Sequence, residues 1–207
     1  MALASRTDLE GRLLRVRERL EKLELEALLV THIPNVFYLT GMRASAAAVL
    51  VEMDRVTLIT DSRYITVARS LADGGNSPRA IRVVKVVDSY NETIREELFQ
   101  RGLSRLGVES QKMTMKEALW YRQELKNRVT VVATDGLVEE IRILKDAGEI
   151  QNLRHAGSLL ASVMTLALDF VRKGRTERAI AADIDRLLVT EGFEGRAFET
   201  IVASGPR

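Results

Sequence analysis

The chain has 207 residues, of which 46% are apolar, with 31 basic against 29 acidic side chains and no cysteine. That length suits one large or two small domains, at the usual ~100–200 residues each. A net charge of +2 with few aromatics is too little for a nucleic-acid footprint, and the lack of cysteine excludes disulfides, a thiol nucleophile and zinc–cysteine sites.

The first twenty residues, MALASRTDLEGRLLRVRERL, lack the apolar stretch and cleavage site of a signal peptide. No later run approaches the ~20 apolar residues of a membrane span, so a cytoplasmic protein is expected. Leu9, Leu13, Val16, Leu20 and Leu23 recur at helical spacing with Arg12, Arg15, Arg19 and Lys22 between them, which predicts an amphipathic opening helix. ALLVT (27–31) reads as a buried strand. HIPNVFYLTG comes next as a loop punctuated by Pro34, Asn35 and Gly41. AAAVLVEM and VTLIT flank Asp54-Arg55 and predict a hairpin.

DSRYITVARSLADGG reads as a helix capped by Asp61 or Ser62, with Gly74 past its end. IRVVKVV returns as a strand. Ser89 with Glu92, and Thr114 with Glu117, are capping-box pairs that open two helices among the short strands LGVES and VTVVA. Strands alternating with helices over residues 1–134 predict one α/β domain with a largely covered sheet.

A second domain is expected over residues 135–207. Asp146, with Glu149 three residues on, opens a long helix. Ile150, Leu153, Gly157, Leu160, Met164 and Val171 form one apolar stripe on it; Leu159, Val163, Leu166 and Phe170 form another. Such a helix needs partners on two sides. Leaving four large side chains in water forfeits on the order of 6–12 kcal/mol, comparable with the stability of a whole domain. Gly174 ends it, a second helix runs through Ala179, Ile180, Ile184, Leu187 and Leu188, and AFETIVA (197–203) reads as a strand leaving through a Ser204-Gly205-Pro206 turn. Only that one strand is available to the second domain, so either the long helix packs against the first domain or another subunit, or the second domain is incomplete and its remainder lies beyond residue 207, which is the reading expected.

Catalytic constellations are scarce. The two histidines, His32 and His155, have no second nitrogen or sulfur ligand at metal spacing, and Asp183 and Asp185 point to different faces of their helix. No P-loop, G-x-G-x-x-G or G-x-S-x-G occurs, and Ser204 reads as turn chemistry.

NVFYLTG (35–41), TDSRY (60–64), LVEEIRILKDAGEIQNLRHAG (137–157), RTERAIAADID (175–185) and above all FETIVASGP (198–206), in this order, resemble the pita-bread metallopeptidases of the Xaa-Pro aminopeptidase, prolidase and creatinase branch. Where members often carry proline after the cap of the long helix, this chain has Ala147, which a first helical turn also accepts. The resemblance implies an N-terminal creatinase-like mixed-sheet α/β domain followed by an incomplete α+β pita-bread domain. It implies an exopeptidase cleaving Xaa-Pro bonds at a dinuclear Mn²⁺, Co²⁺ or Zn²⁺ centre, with proline-containing peptides as substrates and a homodimer as the assembly. The family's metal ligands, two Asp, one His and two Glu, lie downstream of the Ser-Gly-Pro turn. No catalytic or metal-binding residue is therefore carried onto this sequence, and the chain alone is expected to be inactive.

Three substrate contacts are implied. Phe198 is placed to wall a proline ring, with plain packing as the alternative. Tyr38 and Arg43, at the loop after NVFYLTG, are placed to face a partner's active site, where the planar fork of Arg43 suits a carboxylate, with loop or interface structure as the alternative. The competing function classes are a non-catalytic binding or dimerisation module and a creatinase-like amidinohydrolase.

Overall fold

The computed structural model describes residues 4–75, 77–78 and 81–206. By its internal contacts the chain forms two compact units, Met1–Gly148 and Glu149–Arg207.

The first unit is built on a six-stranded mixed sheet in the order β4-β3-β2-β1-β5-β6. Its strands are β1 (Ala27–Val30), β2 (Ala48–Glu52), β3 (Val56–Thr60), β4 (Ile81–Lys85), β5 (Arg105–Glu109) and β6 (Thr130–Thr134). β1, β2 and β3 are antiparallel neighbours, and Asp54-Arg55 lies in the β2–β3 hairpin as expected. β3 pairs with β4, β1 with β5 and β5 with β6 in parallel.

The central strands are apolar on both faces because both faces are covered. Leu28, Val30, Val49, Val51, Val56 and Leu58 join one core with helices α1 (Arg6–Lys22) and α2 (Ile33–Thr40). Ala27, Leu29, Ala48, Leu50, Ile59, Leu106 and Val108 point the other way, into a second core with α4 (Tyr90–Gln100) and α5 (Met115–Glu124). Adjacent residues alternate between the cores, as the two-residue period of a strand requires.

Local signals explain the helix ends. Ser5 and Asp8 close a capping box on α1, and Thr114 and Glu117 close the expected one on α5. The Ser89 hydroxyl accepts from the Glu92 amide at 3.2 Å at the start of α4. The stretch read as a loop, HIPNVFYLTG, is instead helical: Pro34 sits in the first turn of α2, where its missing N–H costs nothing, and Gly41 ends it at φ +75°. α3 (Ile65–Asp73) starts later than expected, at Tyr64 rather than at Asp61 or Ser62, and Gly74 closes it as expected.

The expected change of domain at Asp135 falls just before α6 (Leu137–Ile143), whose Leu137, Val138 and Ile141 complete the first core, so the first unit runs on to Gly148.

The long helix α7 (Ala147–Ala167) carries a single 3-10 turn after it, and α8 (Glu177–Thr190) comes next, opened by the Thr176 hydroxyl accepting from the Ala179 amide. Along α7, Val163 and Ala167 are buried, whereas Leu153, Leu160 and Met164 stand about half exposed or more. The strand expected at 197–203 does not form: no neighbouring strand is present among the described residues of this unit, and an extended segment without a partner makes no ladder.

Candidate functional site

Residues 42–47, between α2 and β2, are held by side chains drawn from two distant stretches. The Ala46 carbonyl accepts from the Thr60 hydroxyl at 3.3 Å and from the Tyr90 hydroxyl at 3.0 Å. The Tyr90 oxygen also lies 3.2 Å from Asp61 Oδ2. The Tyr64 hydroxyl accepts the Ser45 amide at 3.2 Å and meets the Ser45 hydroxyl at 2.8 Å. The rings of Tyr64 and Tyr90 pack against the first and second cores respectively, so each phenol is a rigid strut from a packed layer to the loop.

Electrostatics fix the base of this clamp. Asp61 accepts the Arg63 amide at 2.9 Å and both Nε and Nη2 of Arg63, at 3.1 and 2.8 Å. The Arg63 guanidinium holds the Asp61 carboxyl down at about 2. Hydrogen bonding to Ser45 lowers the Tyr64 phenol, while burial raises that of Tyr90.

Arg43 projects from this loop, exposed, with its guanidinium carbon 5.6 Å from the centroid of the Phe37 ring. Tyr38 faces the opposite way. It is 4% exposed in the first core, its carbonyl accepts Arg12 Nη1 at 2.8 Å, and the Arg12 guanidinium lies 4.3 Å over its ring. The structure thus places the two on one stretch of chain without turning them to one side. Phe198 lies in the second unit, 77% exposed, on a segment bound back to α8. There the Thr200 hydroxyl donates to Asp185, Arg196 pairs with Asp185, and Ser204 donates from its amide and hydroxyl to Glu177 Oε1 at 2.8 and 2.9 Å. Asp183 and Asp185 bind different partners, as their spacing predicts: Asp183 takes Arg175 and Arg186.

Two further polar clusters are structural. Glu109 accepts the Thr31 and His32 amides at 2.7 and 2.8 Å and the Asn35 side-chain amide at 2.6 Å, filling the start of α2 with the chain's own carboxylate. Asn35, fully buried, also donates to Glu139 at 2.9 Å and accepts from Arg142 at 2.7 Å. On the other face Arg101 joins Glu52, Glu97 and the Thr57 hydroxyl. His155 is exposed on α7 and His32 precedes α2. Among the described residues, no three His, Asp or Glu side chains converge as metal ligands.

The clamp was not visible in the sequence, because its contacts join residues 19 and 44 positions apart. TDSRY signalled a helix cap through its aspartate and serine, but no local pattern names Tyr90 as its partner.

Residues 12–144 match the creatinase/prolidase N-terminal domain family, and residues 151–207 match metallopeptidase family M24. The chain is 27% identical over 93% of its length to a Bacillus subtilis protein named as an uncharacterized peptidase, YqhT, and covers 53% of that relative. It is 25% identical over 93% of its length to an Xaa-Pro dipeptidase of Pyrococcus horikoshii and covers 52% of it. The chain therefore spans about half the length of the curated relatives it matches. Among solved structures, an Xaa-Pro dipeptidase from Bacillus anthracis superposes with a TM-score of 0.83 at 20% identity, over 92% of this chain and 51% of that one, a likeness of fold.

Proposed function

Since the chain belongs to the creatinase/prolidase N-terminal domain family over residues 12–144 and continues into metallopeptidase family M24, we propose that it is the N-terminal portion of a metal-dependent exopeptidase cleaving Xaa-Pro bonds. The observation that carries this reading is the succession of the two family matches, in order, along a chain whose relatives include proteins named Xaa-Pro dipeptidase and putative Xaa-Pro aminopeptidase.

On this reading the α/β unit is the N-terminal domain, and α7, α8 and the segment up to Pro206 open the catalytic domain. Phe198 walls the proline ring and Arg43 receives a substrate carboxylate in a homodimer. Tyr38, the third substrate contact the resemblance implies, lies 4% exposed beneath the Arg12 guanidinium. The exposure of Phe198 and Arg43 supports a contact role for both. The described residues do not fit a dinuclear metal centre, so no hydrolytic step is derived from them. The metal, Mn²⁺, Co²⁺ or Zn²⁺, would be held by other residues. A cytoplasmic location belongs to the same reading; among the described residues no helix is long and apolar enough to cross a membrane.

The test is to read the gene past codon 207, express the whole reading frame and assay it with each metal on Xaa-Pro dipeptides and longer Xaa-Pro peptides. Hydrolysis at the proline bond by that product, and none by residues 1–207 alone, is the expected result. A reading frame that stops at codon 207, or a longer product inactive on every such peptide, overturns it.

A further inference from the structure

We infer that Tyr64 and Tyr90 are positioning residues. Their phenols fix the 42–47 loop so that Arg43 is presented in one orientation to the carboxylate of a proline-containing peptide. This rests on the peptidase reading above and adds to it which groups set the loop's geometry.

The loop has no regular structure of its own to hold it. It begins at Gly41, whose φ of +75° turns the chain out of α2, and ends at the first residues of β2. Between these ends, its Ser45 and Ala46 polar groups are met by Tyr64, Tyr90 and Thr60. A flexible loop presenting an arginine loses binding free energy in ordering that side chain and backbone; a loop ordered in advance does not. The struts come from rings packed in two different cores, so the loop is braced from both sides of the sheet. The Arg43 side chain runs past α2, its guanidinium carbon 5.6 Å from the ring centroid of Phe37, a half-buried side chain of that helix. Its planar fork suits bidentate pairing with a carboxylate.

The experiment compares Tyr64→Phe, Ser45→Ala, Arg43→Gln and Tyr64→Phe/Arg43→Gln in the full-length enzyme. The substrates are an Xaa-Pro dipeptide and its C-terminal amide. Tyr64→Phe keeps the packed ring and removes only the hydroxyl; Ser45→Ala breaks the same contact from the loop side, so a folding defect in one leaves the other to decide. The expected result is a KM for the free dipeptide raised about threefold to tenfold by either single change, the scale of one lost hydrogen bond, with kcat within about twofold. The amide should show no such rise, and the double variant should be no worse than Arg43→Gln. Equal effects on dipeptide and amide, or a Tyr64→Phe effect that adds to that of Arg43→Gln, overturns the inference. Amide exchange on residues 1–207 separates the two possible failures. If the wild type cleaves no Xaa-Pro bond, the peptidase reading falls and the carboxylate role with it. If Tyr64→Phe leaves exchange at residues 42–47 unchanged, the clamp itself falls.

Discussion

Arg12 on the first helix and Asp146 at the head of the long one, 134 residues apart, are joined by two hydrogen bonds to a single carboxylate oxygen, from Nε at 3.0 Å and Nη2 at 2.6 Å. Their side chains are only 6% and 12% exposed, and Arg12 also binds the Tyr38 carbonyl. Removing one partner breaks a nearly buried ion pair. Arg12→Met should therefore cost about 3–5 kcal/mol of unfolding free energy, measured by urea titration. Replacing both, as Arg12→Met with Asp146→Leu, should cost clearly less than the sum of the two single changes.

Asn35 stands between two carboxylates, donating to Glu109 at 2.6 Å and Glu139 at 2.9 Å. Asn35→Asp replaces the donor by a third acceptor in a fully buried position. A loss of more than about 2 kcal/mol at neutral pH is expected from the unmade hydrogen bonds and like charges. A thermal melt showing no change would mean that the network contributes nothing to holding α2 and α6.

The depressed Asp61 carboxyl gives the fold a contribution that depends on acid. Its value falls from an ordinary 3.8 to about 2 in the folded chain, chiefly through the Arg63 side chain. Because the folded value is the lower one, this contribution is complete above about pH 3.8 and is lost as the pH falls through about 2. Asp61→Asn should flatten the pH dependence of stability in that window and leave its shape near pH 7 unaltered. NMR titration of the Asp61 carboxyl checks the value directly.

Two glycines should respond to alanine with opposite signs. At Gly107 on β5, an added Cβ would meet Leu25 Cδ1 at 2.9 Å, Thr134 Cγ2 at 3.1 Å and Leu28 Cδ1 at 3.2 Å. Overpacking of this kind typically costs about 1–3 kcal/mol. Gly157 lies inside α7 with nothing within 4 Å of such a Cβ, so Gly157→Ala should stabilise the helix by about 0.5–1 kcal/mol. Chemical denaturation of the two variants side by side reads both.

Phe198→Ala separates a contact residue from a packing one. With the ring 77% exposed in this chain, the change should shift the stability of residues 1–207 by no more than about 0.5 kcal/mol. In the full-length enzyme it should raise KM for proline substrates. A large loss of stability in the short chain would assign the ring to packing instead.

Much of the architecture was legible because its signals are local. The hairpin turn at Asp54-Arg55, the Thr114–Glu117 box and the unbroken apolar run that opens ALLVT each announce an element within a few residues. NVFYLTG misled because Pro34 and Gly41 punctuate loops and bracket helices alike; only their placement, proline in the first turn and glycine just past the last, distinguishes the two. AFETIVA alternates like a strand, but a strand exists only by pairing, and its backbone region is instead tied through Thr200 and Ser204 to α8. The loop clamp had no sequence signal at all, since burial and hydrogen bonding between Tyr64, Tyr90 and residues 45–46 arise only once two separate layers have packed.

The position of β1 in the sheet has a consequence for the order of folding. On one side it pairs antiparallel with β2, so that Val30 meets Val49 across a short connection; on the other it pairs in parallel with β5, where Leu29 meets Val108. The first closure costs little chain entropy and the second considerably more. β1, β2 and β3 can therefore assemble as a meander while the later part of the chain is still being synthesised, and β5 and β6 must wait to be templated on the free edge of β1. Until they arrive that edge is open, and the rate at which residues 105–134 are made and docked sets how long the nascent chain is exposed to mispairing.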